Sequence, residues 1–279
     1  MPCSDQDFEY FRRLVQTCSS NIVDGSYKNL LELRLQPLMQ QTGAGTISAF
    51  AALLQVQPMG AMHRTVAELL TINETSFFRD INSFHALRNE ILPHLLEQNR
   101  HTRSLRIWSA ASATGQEAYS LAMLLDESFP DIVQSWDIRI LGTDYSNAVV
   151  RYAQNARYKR IEVNRGLPAR LLVKYFQRHG EEWAIRPELQ RLCEFRQMNL
   201  CAPLPPMPEF DLVLLRNVLI YFGPQDRTRL LTNIRQVMAP HATLMLGNAE
   251  QACGVEHLFD AAFVGGTYYY RAGRAPAFL

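Results

Sequence analysis

Apolar residues recur at spacings of three and four through the first seventy positions, and almost nothing there alternates. Phe8, Phe11, Val15 and Cys18 form one such series, and Tyr27, Leu30, Leu31 and Leu38 form a second. This is the period of an amphipathic helix. After the punctuation of QTGAGTIS, Phe50, Leu53 and Leu54 and then Met62, Val66, Leu69 and Leu70 predict two shorter helices. Residues 1–72 therefore read as a small all-helical domain. The segment TINETSFFRD follows, and Phe84, Leu87, Ile91 and Leu95 predict a further helix, so that 73–100 forms a linker and helix leading into the rest of the chain.

From Ser104 strand and helix patterns alternate, as in a parallel sheet covered by helices. SLRIWSA and DIRILGTD read as strands, with the helix QEAYSLAMLLDESF between them. Ser146 is placed to cap the helix NAVVRYAQNARY, and Pro168 suits the first turn of a helix running to Tyr175. CEFRQMNL, DLVLLRN and ATLMLGN predict three more strands, with a helix opened by Pro224 before the last. AAFVGGTYYYR predicts a closing antiparallel hairpin. Between the second and third sheet strands, Tyr175–Arg196 alternates around Gly180, which predicts a small β-subdomain inserted at about 175–196. The expected architecture is α/β, with a main domain over 101–279.

Composition narrows the function classes. The chain has 279 residues, 47% hydrophobic and 20% charged, which suits one large domain plus a smaller one. No apolar run approaches the roughly 18 residues needed to cross a bilayer, and MPCSDQDFEYFRR has no apolar stretch behind a basic start. Membrane insertion is therefore not expected, and the cytoplasm is the expected location. The five cysteines are scattered without a C-x-x-C pair, and the seven histidines show no H-E-x-x-H, so no metal is expected. A net charge of +1 gives no field to attract nucleic acid.

The candidate chemistry lies at strand ends, where open α/β sheets bind ligands. The first strand runs into Ala110-Ala111-Ser112-Ala113-Thr114-Gly115, small side chains that allow close backbone approach or simply make a tight turn. The second ends in Asp144, able to accept both hydroxyls of a ribose or to cap a helix. Asn199 and Leu200 close the third, an amide and an aliphatic group suited to the edge and face of a base. Arg216 and Asn217 close DLVLL, where an arginine after apolar residues either lines a site or pairs with Glu117 or Asp144. G-x-x-x-x-G-K-[ST] and G-x-G-x-x-G are both absent, which favours a nucleoside ligand without phosphate.

Three segments carry a family resemblance. Asn73-Glu74-Thr75-Ser76-Phe77-Phe78-Arg79-Asp80 resembles the N-x-T-x-F-F-R-x motif of the CheR chemotaxis receptor glutamate methyltransferases. WSAASATGQEAYS resembles that family's W-S-A-x-x-S-T-G-E-E-P-Y-S, and LRNVLIYF its C-R-N-V-L-I-Y-F. The resemblance implies a doubly wound, mostly parallel Rossmann-like sheet and S-adenosylmethionine as cofactor, with S-adenosylhomocysteine as product. It places Asn73, Thr75, Arg79, Ala111, Glu117, Asp144, Asn199, Leu200, Leu215 and Arg216 around that cofactor, to which the strand end adds Asn217. Arg79 and Tyr221 are expected to face the methyl-accepting carboxylate. Gln116, Ala118 and Ala113 depart from the family pattern, while Glu117 is kept.

The implied substrate is a glutamate on the cytoplasmic helices of a methyl-accepting chemotaxis receptor. A methyltransferase acting on another protein or a small molecule, or a catalytically silent cofactor-binding regulator, is the alternative. The chain is expected to be a monomer. Some family members tether a receptor's C-terminal pentapeptide on a longer glycine-rich loop, but the insert here has only the short HGEE turn, so such tethering is not expected. Recognition is expected to rest on the N-terminal helices, with Lys28 and Arg34 meeting an acidic receptor face.

Overall fold

The computed structural model describes residues 3–273. Its contacts divide the chain into two compact units, Met1–Ile72 with Tyr221–Arg227, and Asn73–Ile220 with Thr228–Leu279.

The smaller unit contains α1 (Asp5–Ser19), α2 (Lys28–Thr42), α3 (Ile47–Gln55) and α4 (Ala61–Leu70). Ser4 and Thr46 cap α1 and α3 by accepting the amides of Asp7 at 3.1 Å and Ala49 at 3.2 Å. Phe11, Leu14, Val15, Leu31, Leu35, Phe50, Leu54, Val66 and Leu70 are buried together on the inner faces. The expected stripe on α2 is shifted. Leu30 is 41% exposed and Leu35 fully buried, because α2 starts only at Lys28 and its inward face runs Leu31, Leu35, Leu38. Within this unit the Tyr221 carbonyl accepts the amide of Ile22 at 2.7 Å.

The larger unit begins with an unbroken helical run, α5 (Ile81–Ala86), a π turn (Leu87–Ile91) and α6 (Leu92–Gln98). Pro93 has no amide to donate, and the widened turn before it is closed by Leu92 bonding to Leu87. Then come β1 (Ser104–Ala110), α7 (Gln116–Ser128), α8 (Pro130–Ser135), β2 (Asp137–Asp144), α9 (Asn147–Asn155), β3 (Arg157–Lys159), α10 (Arg160–Val163) and α11 (Ala169–Tyr175). β4 (Phe176–His179), β5 (Glu182–Ile185), α12 (Pro187–Gln190), β6 (Cys193–Gln197) and β7 (Phe210–Leu215) follow. α13 (Pro224–Gln236), β8 (Met238–Leu246), β9 (Phe259–Val264) and β10 (Thr267–Ala272) complete the order.

The main sheet has the order β6-β2-β1-β7-β8-β10-β9, parallel except for β10, which runs antiparallel to β8 and β9. This is the expected α/β Rossmann-like architecture. Every residue of β7 is buried, as befits a central strand covered on both faces. Strand order reverses between β1 and β7, so the switch point lies at the carboxyl ends of these strands, Ala110 and Leu215.

Three local expectations need correction. The inserted sheet, in the order β3-β5-β4, recruits Arg157–Lys159 from well before Tyr175, whereas Cys193–Arg196 belongs to the main sheet. A three-residue strand carries too little alternation to be recognised; it forms because Ala156, at φ 50°, ends α9 in a left-handed cap. Ser146 stands at the N-cap of α9 without a side-chain cap bond. Asn199 lies two residues beyond the end of β6, in a turn where its side chain accepts the Cys201 amide at 3.0 Å.

The insert shares one core with the linker. Phe77, fully buried, packs edge-on against Tyr158 and Phe176, with ring centroids 5.1 and 5.7 Å away. Gly166, at φ +88°, lies so close to the Phe77 carbonyl that any Cβ there would overlap it. The Tyr158 hydroxyl donates to the Thr114 carbonyl at 2.8 Å, reaching the loop after β1. Burial raises the pKa of this phenol, and of Tyr119, well above the ordinary 10.0. Because the folded-state pKa lies above the unfolded one, their contribution is complete below pH 10 and declines as pH rises beyond it. Tyr158→Phe should lower unfolding free energy by about 0.5–1.5 kcal/mol in urea titrations at neutral pH. An unchanged midpoint would show that the hydroxyl contributes nothing to stability.

Candidate active site

At the switch point one guanidinium gathers three segments. Arg216 follows β7 immediately, and its side chain is 2% exposed. It donates to Glu117 at 2.9 Å, to Asp80 at 3.1 Å and to the carbonyl of Arg79 at 2.8 Å. Glu117, in the first turn of α7, also accepts the Ser109 hydroxyl at 2.8 Å. The Arg216 guanidinium lies 5.7 Å from the Phe84 ring centroid. The linker, the end of β1, the start of α7 and the end of β7 thus meet at one charge. Such a pair stabilises only when both partners are present, and removing one typically costs about 3–5 kcal/mol.

The loop after β1 is conformationally strained. Ala111 and Ala113 have φ of 63° and 47°, and Gly115 reaches 91° at the N-cap of α7. For the alanines this costs roughly 1–3 kcal/mol each. The Asp144 carboxylate, nearly buried, offsets part of it by accepting the amide of Ala113 at 3.0 Å with one oxygen, and that of Ser146 at 3.0 Å with the other. Asp144 therefore organises the turn into α9 at the carboxyl end of β2.

Across the switch point, Asn217 is held at φ 60°. Its amide and that of Gly247 each donate to Glu250 at 2.7 Å, and Ile220 donates to the other oxygen at 3.4 Å. Glu250 is 6% exposed, and sequence inspection missed it because an acid just past a strand looks like a solvated loop residue. Asp80 and Ser109 were also missed, although both lie inside the quoted motifs. Leu215 and Leu200 are buried near their strand ends. Asn73 and Thr75 are partly buried in the extended segment before α5. Arg79 is half-buried and donates to the Glu74 carbonyl at 3.0 Å, so it folds back on its own segment. Tyr221 ends a 3-10 turn, Leu219–Tyr221, and groups with the helical unit.

Comparison with known proteins fits this geometry. The family model of the CheR methyltransferase SAM-binding domain matches residues 73–266. The chain belongs to the CheR family. It is 33% identical over 258 residues to chemotaxis protein methyltransferase Cher2 of Pseudomonas putida, covering 91% of this chain and 94% of that one. Identity to chemotaxis protein methyltransferase 1 of Pseudomonas aeruginosa is 34% over 253 residues, 90% and 92% of the two chains. A Vibrio parahaemolyticus chemotaxis protein methyltransferase is 29% identical over 261 residues, 92% and 93% of the two chains.

This CheR protein is a methyltransferase whose cofactor is S-adenosylmethionine, and its residues suit that ligand. Asp80 and Glu117 share the single guanidinium of Arg216, so two carboxylates stand against one positive charge at the switch point. Arg216 Nε and Ser112 Oγ are buried polar atoms that no other protein group bonds. Among the described residues no cluster could hold a metal ion, and no helix is long and apolar enough to cross a membrane.

The Glu250 contacts give a testable consequence. Glu250→Ala strands the amides of Asn217 and Gly247 and should lower unfolding free energy by about 2–4 kcal/mol, while Glu250→Gln, which keeps one acceptor, should lose less than half of that. Equal losses in urea titrations of the two variants would contradict this reading.

Proposed function

We propose that the chain transfers the methyl group of S-adenosylmethionine to glutamate side chains of chemotaxis receptors, forming methyl esters. The observation that carries this reading is the likeness, over nine-tenths of the chain, to proteins named chemotaxis protein methyltransferases, together with the linker motif that supplies Arg79. Glu117, Arg216, Asp144, Asn199, Leu200, Leu215, Asn217, Ala111, Asn73, Thr75 and Arg79 are the residues assigned to the cofactor. Asp144 is assigned the ribose, since a carboxylate at the end of β2 can accept both ribose hydroxyls. Asn199 and Leu200 are assigned the adenine, and Glu117 with Arg216 sets the charge at the switch point.

When bound, S-adenosylmethionine supplies an electrophilic methyl group. The protein's task is then positioning. A glutamate carboxylate has a reference pKa near 4.3 and is ionised at neutral pH, so no side chain need act as a general base. Arg79 is assigned one oxygen of that carboxylate through a charge-assisted bond, which requires it to leave the Glu74 carbonyl. Tyr221 is assigned a second bond to the acceptor, on the strength of its motif. Holding the acceptor in one orientation and excluding water lower the barrier.

Partner recognition is narrowed by two structural details. Lys28 is paired with Asp5 at 2.6 Å, and Arg34 donates to the carbonyls of Leu69 and Thr71 at 3.2 and 2.8 Å, so both bases already serve the helical unit's own structure. Their expected role in meeting an acidic receptor face is therefore weakened. The insert hairpin turns on Gly180 and Glu181 alone, so tethering of a receptor tail peptide is still not proposed. The protein is expected to act as a cytoplasmic monomer.

Incubation with radiolabelled S-adenosylmethionine and receptor-containing membranes should give label that is released as methanol by mild base. Base-stable label would rule out a glutamate ester. Asp144→Ala should weaken S-adenosylhomocysteine binding by about 1.5–3 kcal/mol, whereas Tyr221→Phe should keep that affinity and lower kcat. Full turnover by the phenylalanine variant would remove Tyr221 from the reaction.

A further inference from the structure

On the side of β1, β2 and β6 opposite α7, the charged residues Arg106, Asp137, Arg139, Glu194 and Arg196 are exposed. Leu105, Ile107, Ile138, Ile140 and Phe195 point into the core shared with α7, and the alternating positions of β1, β2 and β6 point the other way. The connection from β6 to β7, residues 198–209, would ordinarily supply a covering helix. Here it contains Pro203, Pro205, Pro206 and Pro208 and forms none. The exposed charged residues and Arg191 line a cavity of about 360 Å³, with Met207 and Pro208 at its edge.

The charges here are arranged against the fold's own interest. The register of β1 and β2 makes Arg106 and Arg139 direct partners, so two like charges stand side by side. Arg139 is neutralised by Asp137 at 2.9 Å, and Arg196 by Glu194 at 2.6 Å. Among the described residues, Arg106 and Arg191 have no such partner. The nearby Asp211 instead accepts the backbone amide of Arg106 at 2.7 Å and contacts His241 at 3.0 Å. The Arg191 guanidinium makes only a bond to the Glu188 carbonyl, at 3.2 Å. Four arginines against two carboxylates leave a local surplus of positive charge in a protein whose net charge is +1.

We propose that this arginine-lined face is a docking site for an acidic segment of a partner protein, one that carries at least two carboxylates close together. Arginine forks pair with carboxylates bidentately, and the unpaired Arg106 and Arg191 supply the two forks. Nucleic acid fits less well, since the lining offers no exposed aromatic ring for a base and Phe210 is buried. The site lies towards the amino ends of β1 and β2, whereas the cofactor residues lie at the carboxyl ends, so occupancy here is independent of the cofactor assignment.

Fluorescence anisotropy of a labelled hexaglutamate peptide with the full-length protein tests this directly. Saturable binding is expected, weakened at least about tenfold by the double charge reversal Arg106→Glu with Arg191→Glu. Arg88→Glu with Arg151→Glu changes net charge equally at exposed positions elsewhere and should alter the affinity by less than about twofold. Arg106→Gln should weaken the peptide without lowering the melting temperature, because it relieves repulsion from Arg139; a purely structural arginine would lower it. No saturable binding by the wild type would overturn the proposal, as would equal losses in the two double variants. Tighter binding of an oligothymidine with the same residue dependence would overturn the acidic-peptide assignment.

Discussion

A buried arginine cannot be left unpaired, and the pairing of Arg216 determines where the linker, the first crossover and the fourth parallel strand come to rest. Its partners are Glu117 in α7, and Asp80 and the Arg79 carbonyl in the linker. The sheet topology places β1 beside β7 with order reversing between them, and that opens a crevice. The guanidinium then draws an acid from the helix and one from the linker to the mouth of that crevice. An apolar substitute could hold these elements together, but it would not set charges at a ligand's position.

Around that centre, structure and strain are distributed in a consistent way. The left-handed Ala113 of the β1 loop and the left-handed Asn217 of the β7 turn are each tied by a carboxylate, Asp144 on one side and Glu250 on the other. Both acids accept backbone amides, and so fix main-chain atoms where a ligand has to approach closely. The insert contributes at one remove: Tyr158 holds Thr114 in the β1 loop, while Phe77 wedges the linker between Tyr158 and Phe176. Linker, insert and the loop after β1 are therefore coupled through a shared core.

Long, strongly periodic elements were legible in the sequence. The strands ending in Asp144 and Leu215 and the closing hairpin around Gly265-Gly266 lie where their patterns placed them. Short elements were not legible, because β3 spans three residues and depends on the left-handed Ala156 before it. Arg216 stood out because an arginine straight after an apolar strand is unusual for its position, and of its two readings the pairing with Glu117 is present. Glu250 escaped because its burial follows from tertiary contacts with the ends of β7 and β8, and nothing local distinguishes it from a solvated loop acid. Lys28 and Arg34 show the converse: bases that look free in the sequence are engaged by Asp5 and by the end of α4.

Calorimetric titration of S-adenosylhomocysteine into Arg216→Lys bears most directly on the role of the buried guanidinium. Lysine keeps the charge but cannot reach Glu117, Asp80 and the Arg79 carbonyl at once. The expected result is binding weakened at least about tenfold in a protein that still unfolds cooperatively. Wild-type affinity in this variant would contradict the claim that the Arg216 network shapes the cofactor site.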